Sequence, residues 1–282
     1  MRAAALGAIA VSLVASGGLA LKSASQSGPA VDGRAMDGVW LSPVSVSAPA
    51  PDPDPFADWT RPPGPVRIAL QAGHWRASEA PPEQAGLRDN GARVKGIAEW
   101  EVNLEIARRT AALLRDSGYT VDILPTTIPP GYWADLFIAI HADGHNSSRI
   151  SGYRAAAPRR DRTGQAATFA SLLDRIYGEE TGLDYYGSVT RRMRGYYAFN
   201  SRRYQHALHP MTVGVILETG FLTSPRDRKV LVEAPDRAAR GIARAVMEFV
   251  SPIPPVPSPT VTRSLNVGLQ SLDSTRYAHE TR

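Results

Sequence analysis

The chain has 282 residues, 32 basic against 27 acidic side chains, a formal charge of +5 and a pI near 9.6. It contains no cysteine, which excludes a lipoprotein, a disulfide scaffold and thiolate metal ligation, so any bound metal must rest on His, Asp or Glu. The small excess of positive charge suits acidic partners without choosing among them.

Arg2 precedes an apolar run from Ala3 to Leu21, followed by Lys22 and small polar residues. Residues 1–25 therefore read as a secretory signal peptide or an N-terminal anchor. Gly18-Leu19-Ala20 and Ser23-Ala24-Ser25 both offer cleavage contexts, while the run approaches the roughly 20 apolar residues that span a bilayer. Either outcome exports the chain and removes it from nucleic acid. Residues 26–65 are rich in Pro, Ala and Ser, most densely from Ala48 to Pro55, and are expected to form a disordered linker. Residues 251–282 form a second expected disordered tail, with Pro252, Pro254, Pro255, Pro257 and Pro259 favouring polyproline II.

Between the tails, residues 66–250 carry the periodicity of one folded domain. Val66 to Leu70 alternates as a short strand, and Asp89-Asn90-Gly91 marks a turn. From Ala98 the period becomes helical, with Trp100, Asn103-Leu104, Ala107, Ala111 and Leu114 on one face and Gly118 as the stop. Thr120 to Leu124 reads as a strand, and the apolar run from Ala134 to Ile140 as one buried on both faces. A helix is expected from about Arg162 to Glu180, a buried strand over Val213 to Leu217, a short helix at Ser224-Pro225, and a last helix from Pro235 to Val250. The alternation implies an α/β fold: a single domain with a mostly parallel, twisted central sheet flanked by helices. Sites in such sheets lie beyond the carboxyl ends of strands, and His74, His141 and Glu218 each follow a predicted strand end.

Two imidazoles and a carboxylate can hold Zn²⁺ with one position open, and a further glutamate can move protons during amide hydrolysis. Taken singly, each candidate has a plainer reading. Glu99 would sit in the first turn of a helix, where the dipole favours any acid, and Glu101 and Glu105 compete with it. Glu218 would serve as a salt-bridged structural carboxylate. His141 ends an apolar strand, where an unpartnered imidazole is costly. His145 is set aside because Gly144 argues for a loop, and His206 and His209 precede Pro210 as loop residues.

Together, Gly73-His74, Glu99 four residues before Asn103-Leu104, Ile140-His141, and Leu217-Glu218-Thr219-Gly220-Phe221 resemble the zinc-dependent N-acetylmuramoyl-L-alanine amidase family over residues 66–250. The spacing to Asn103-Leu104 selects Glu99. Members usually carry Asn where this chain has Asp143, and often a glycine pair where Trp75-Arg76 stands. The resemblance implies Zn²⁺ on His74, Glu99 and His141, Glu218 as the catalytic acid–base, and cleavage between N-acetylmuramic acid and L-alanine. It implies peptidoglycan as partner, while the basic charge of an exported chain suits acidic cell-wall polymers as further partners, and a monomer is expected. Two rival readings remain: another zinc peptidase or carboxypeptidase on a related α/β scaffold, and a non-catalytic wall-binding protein. Between the second long helix and the Glu218 strand, Tyr185-Tyr186, Arg191-Arg192, Arg194 and Tyr196-Tyr197 mix cations with aromatics. Either this is a solvated loop, or Arg191, Arg192 and Arg194 meet stem-peptide carboxylates through planar, bidentate bonds.

Overall fold

The computed structural model describes residues 53–89 and 91–251. The expected signal or anchor, most of the linker and the tail beyond Ser251 lie outside the described residues. Among the described residues, no helix is long and apolar enough to cross a membrane. Residues 53–60 belong to a separate compact unit, where the Phe56 N–H donates to Asp54 Oδ1 at 2.9 Å. The second unit begins at Arg61, ahead of the expected Val66 boundary. Its guanidinium forks the Asp135 carboxylate at 2.6 and 2.8 Å and binds the carbonyls of Pro62, Gly64 and Pro65, which ties the entering chain to the sheet.

The central sheet comprises β1 (Arg67–Ala72), β4 (Thr120–Leu124), β5 (Leu136–Asp143), β6 (Arg154–Ala156) and β7 (Val213–Phe221). A two-residue pair, β2 (Arg93–Val94) and β3 (Ile97–Ala98), forms a small antiparallel ladder before the first long helix. The main order is β4-β1-β5-β7-β6, all parallel except β6, which runs antiparallel along the edge of β7. β5 and β7 are longer than their apolar runs. His141 and Glu218 therefore lie inside strands, not after them, because backbone pairing continues to Asp143 and Phe221 whatever the side chains are.

Three helices bury their stripes against one face of the sheet: α1 (Glu99–Asp116), α2 (Ala166–Thr181) and α5 (Pro235–Val250). Ile106, Leu114, Phe169 and Ile242 are fully excluded from water with Ile68, Leu70, Ile138 and Val215 of the strands. Each such side chain contributes about 1.5–3 kcal/mol, which outweighs any difference in local propensity. α2 starts later than expected because Asp161 accepts the N–H groups of Thr163 and Ala166 at 2.9 and 2.8 Å, holding residues 161–165 as a turn. The opposite face is not covered by long helices. Ala69, Phe137, Ala139 and Ile216 pack there under Ile128, Met193, Tyr197, Ala198 and Leu208, which come from short segments that include α3 (Arg191–Arg194). Side chains alternate along strands, so Gln71, His141, Arg154 and Glu218 share this second face with Ala69, Ala139, Ala156 and Ile216.

Candidate metal centre

β1 ends at Ala72, and the chain then turns through His74 with φ 61°, a left-handed conformation that non-glycine residues seldom adopt. The turn is held by the Gly73 N–H on the Ile140 carbonyl (2.9 Å) and the Trp75 N–H on the Ala72 carbonyl (3.2 Å). A Cβ at Gly73 would collide with the His141 ring, so the glycine is what lets the two histidines approach. Their ring centroids are 5.1 Å apart. The His74 ring is oriented by Asp89, whose carbonyl and carboxylate oxygens lie 3.1 and 3.0 Å from Nδ1.

Glu99 opens α1 and turns inward, with only 5% of its surface exposed. Its competitors are occupied elsewhere: Glu101 accepts the Ala98 N–H at 2.9 Å as a helix cap, and Glu105 pairs with Arg109 at 2.7 Å. Glu99 accepts from Ala92 N–H (2.9 Å), Ala142 N–H (3.2 Å) and Asn103 Nδ2 (3.3 Å), and Asn103 also donates to the Gly73 carbonyl (3.1 Å). Burial pushes the Glu99 carboxyl up, but the His141 hydrogen bond and charge, the His74 charge and the Ala92 N–H outweigh it and hold the group at about 2. A Cβ at Gly91 would clash with this carboxylate, and Gly91 takes φ 69°, so two separate reasons require glycine there.

Glu99 Oε1 lies 3.1 Å from His141 Nδ1 and 3.5 Å from His74 Nε2. One donor atom from each of His74, Glu99 and His141 falls within 4.8 Å of the others, the only such group of three among the described residues. Two imidazoles and a carboxylate, each held by further hydrogen bonds, suit a tetrahedral cation with one position left for substrate or water. On the far side of His141, Tyr196 donates its hydroxyl to Gln71 Oε1 at 2.8 Å and presents its oxygen 3.3 Å from His141 Nε2. Gln71 is buried and donates to the Thr126 carbonyl (2.7 Å) and Tyr197 Oη (2.8 Å).

His141, Glu218 and Arg154 stand in one row across β5, β7 and β6. Beyond that row β7 carries one residue more than β5, a bulge built by the Thr219-Gly220-Phe221 sequence. Thr219 Oγ1 donates to the His141 carbonyl at 2.7 Å. Asp227 of α4 (Pro225–Leu231) accepts the Phe221 N–H at 2.8 Å, and a Cβ at Gly220 would press on Asp227. Ser224 caps this helix, its Oγ accepting the Asp227 N–H at 3.2 Å. Among the described residues no donor reaches the Glu218 carboxylate, so its lone pairs remain available. Desolvation and the charges of Asp143 and Glu99 push it well above the usual carboxylate range, against the opposing charge of Arg154.

Arg154 is the residue that the sequence does not disclose. It is a buried guanidinium, its side chain 8% exposed, paired with Asp143 and the Ser188 carbonyl and lying over the rings of Tyr186 (5.0 Å) and Phe221 (5.8 Å). Asp143, an acid where Asn is usual, thus has a cation to neutralise it. Of the three arginines expected to meet substrate, Arg191 and Arg192 are exposed on α3 with no contact to the triad, while Arg194 borders a cavity beside Tyr196. Tyr197 is a buried core residue donating to the Thr126 carbonyl. His145 accepts the Ser147 N–H at 2.9 Å, His206 Nδ1 lies 2.9 Å from the Ile128 carbonyl, and His209 Nδ1 accepts the Met211 N–H at 3.2 Å. None of these three joins the triad.

Residues 68–248 match the family model described as N-acetylmuramoyl-L-alanine amidase. The N-acetylmuramoyl-L-alanine amidase LytC of Bacillus subtilis is 30% identical over 178 residues, covering 58% of this chain and 34% of that protein. The chain thus spans about a third of the length of that curated relative. Among solved structures, Cwp6 from Clostridium difficile aligns with a TM-score of 0.50 at 19% identity, over 67% of this chain and 30% of that one. The N-acetylmuramoyl-L-alanine amidase AmiC2 of Nostoc punctiforme aligns at 0.49 and 18%, over 66% and 97%. At the level of Cwp6 the likeness is one of fold alone.

Proposed function

The chain belongs to the N-acetylmuramoyl-L-alanine amidase family, and from that premise we propose that it hydrolyses the amide between N-acetylmuramic acid and L-alanine in peptidoglycan, with zinc held by His74, Glu99 and His141. The observation that carries this reading is the cluster of three donor atoms within 4.8 Å, with Glu218 in register beside His141. Zinc bound there supplies Lewis acidity, polarising the scissile carbonyl and making water a nucleophile near neutral pH.

The remaining work falls to side chains. Glu218 is the general base: its lone pairs are unengaged, and a carboxyl pushed upward is a stronger proton acceptor. It takes the proton of the attacking water and passes it to the departing L-alanine amine. Arg154 sets the local balance of charge, offsetting Asp143 and facing Glu218 across the β6–β7 ladder. Asn103, Ala92 and Ala142 keep Glu99 directed at the two imidazoles, which fixes the ligand geometry before any metal arrives. The products are a glycan strand and a free stem peptide.

Export through residues 1–25, by cleavage or as a retained anchor, brings a monomeric enzyme to this substrate, and its basic character suits acidic wall polymers. The metal assignment is checked on the purified chain. It should contain about one zinc per molecule, lose zinc and activity together to a chelator, and regain both on adding Zn²⁺. Full activity in a preparation free of metal would end this reading.

A further inference from the structure

Behind Tyr196, which contacts His141, lies a cavity of about 390 Å³ bordered by Arg159, Arg160, Arg194, Tyr196, Phe199 and Asn200. That size suits a small chemical group with part of its attached chain. The three arginines come from two segments. Arg159 and Arg160 follow β6 after Pro158, and Arg194 closes α3, with the Arg159 N–H on the Arg194 carbonyl at 3.0 Å joining the two. No acidic residue lines the cavity, and none of the three forms an ion pair among the described residues. Arginines elsewhere in the fold commonly do: Arg61 with Asp135, Arg67 with Asp122, Arg109 with Asp236 and Arg175 with Glu248. Three like charges around one concavity repel one another, and an anion entering it relieves that repulsion.

Tyr196 joins this cavity to the metal centre. Tyr196 lines the cavity while its hydroxyl oxygen lies 3.3 Å from His141 Nε2, and the Tyr196 and His141 ring centroids are 5.5 Å apart. A substrate with its scissile carbonyl at the triad can therefore place a neighbouring anionic group past Tyr196, with its aliphatic part against Phe199. We infer that the Arg159, Arg160 and Arg194 cavity is a carboxylate subsite that receives an acidic group of the stem peptide. This rests on the proposed amidase reaction, in which the peptide, not the N-acetylated sugar, supplies carboxylates next to the scissile bond. Guanidinium forks match planar carboxylates. It also separates the stretch read from sequence: Arg194 takes part, Arg159 and Arg160 join it, and Arg191 and Arg192 do not border the cavity.

The test uses the full zinc-loaded chain and two soluble muropeptides that differ only in having the peptide carboxylates free or converted to amides. Wild type should show a KM about tenfold lower for the free carboxylates, a preference that shrinks with added salt. In the Arg159→Gln, Arg160→Gln, Arg194→Gln triple variant the two substrates should become equal, while the corresponding triple lysine variant should keep part of the preference. Thermal melting and zinc content verify that the variants remain folded and loaded, and single Arg160→Gln should show a smaller loss of the same preference. A second readout is calorimetric binding of free stem peptide to chelator-treated protein, expected to weaken about tenfold in the triple glutamine variant. Hydrolysis of both muropeptides with equal KM by wild type, or an undiminished preference in the triple variant, would overturn the subsite and leave the reaction standing. Arginine-dependent peptide binding without hydrolysis of either muropeptide would do the reverse. Arginine-dependent binding of a polyglycerol phosphate, with no discrimination between the two peptides, would also overturn the subsite.

Discussion

At the scale of single residues, the centre depends on where side chains are missing as much as on where they are present. Gly73 and Gly91 leave room for the His141 ring and the Glu99 carboxylate, and His74 accepts a left-handed backbone that costs on the order of 1 kcal/mol or more. The three residues of the cluster are legible in sequence because each carries a local marker: a glycine before His74, Asn103 one turn after Glu99, and an apolar strand leading into His141. Arg154 has no such marker. Its partners Asp143, Tyr186, Ser188 and Phe221 lie in separate stretches that only the folded sheet brings together. Glu218 offers the sharpest test of role. Glu218→Gln keeps shape and leaves the triad intact but cannot accept a proton, so turnover should fall at least about a hundredfold with zinc content and melting temperature held. Near-normal turnover, measured alongside metal analysis, would place the base elsewhere.

At the scale of elements, the long amphipathic pieces are the predictable ones. α5 spans the residues its apolar spacing marks out, since it buries a regular stripe, and β4 covers the expected Thr120–Leu124. β6 escapes sequence reading because three residues carry too little pattern, and β7 is read short because Glu218 and Gly220 break its apolar run. The β6 edge also holds an acid with consequences for stability. Asp174 of α2 accepts the Ala155 N–H at 2.8 Å, and burial raises its carboxyl from 3.8 to about 7 despite that hydrogen bond. Between these values the unfolded chain has released a proton that the folded chain retains. Stability from this group is therefore complete below the unfolded value and is lost as pH rises toward about 7. Asp174→Asn keeps an oxygen for Ala155 but cannot ionise. Relative to wild type it should grow steadily more stable from pH 4 to 7 in thermal melts, with a constant difference above. Parallel curves across that range would show that Asp174 ionises freely in the folded protein.

At the scale of the whole molecule, one face of the sheet serves stability and the other serves chemistry. Three helices seal the first face, while short segments around Tyr196 and Tyr197 cover the second. The fold class was legible because strand and helix periods alternate along residues 66–250. The edge pairing of β6 and the convergence of Arg159 with Arg194 depend on tertiary contacts that no local pattern encodes. The central claim is the bond that is cut, and it is read most directly from products. Purified peptidoglycan digested with the zinc-loaded chain should yield new N-terminal L-alanine, with no new reducing sugar ends. New amino termini on other residues would instead identify a peptidase, new reducing ends a glycan hydrolase, and either result would contradict the assignment.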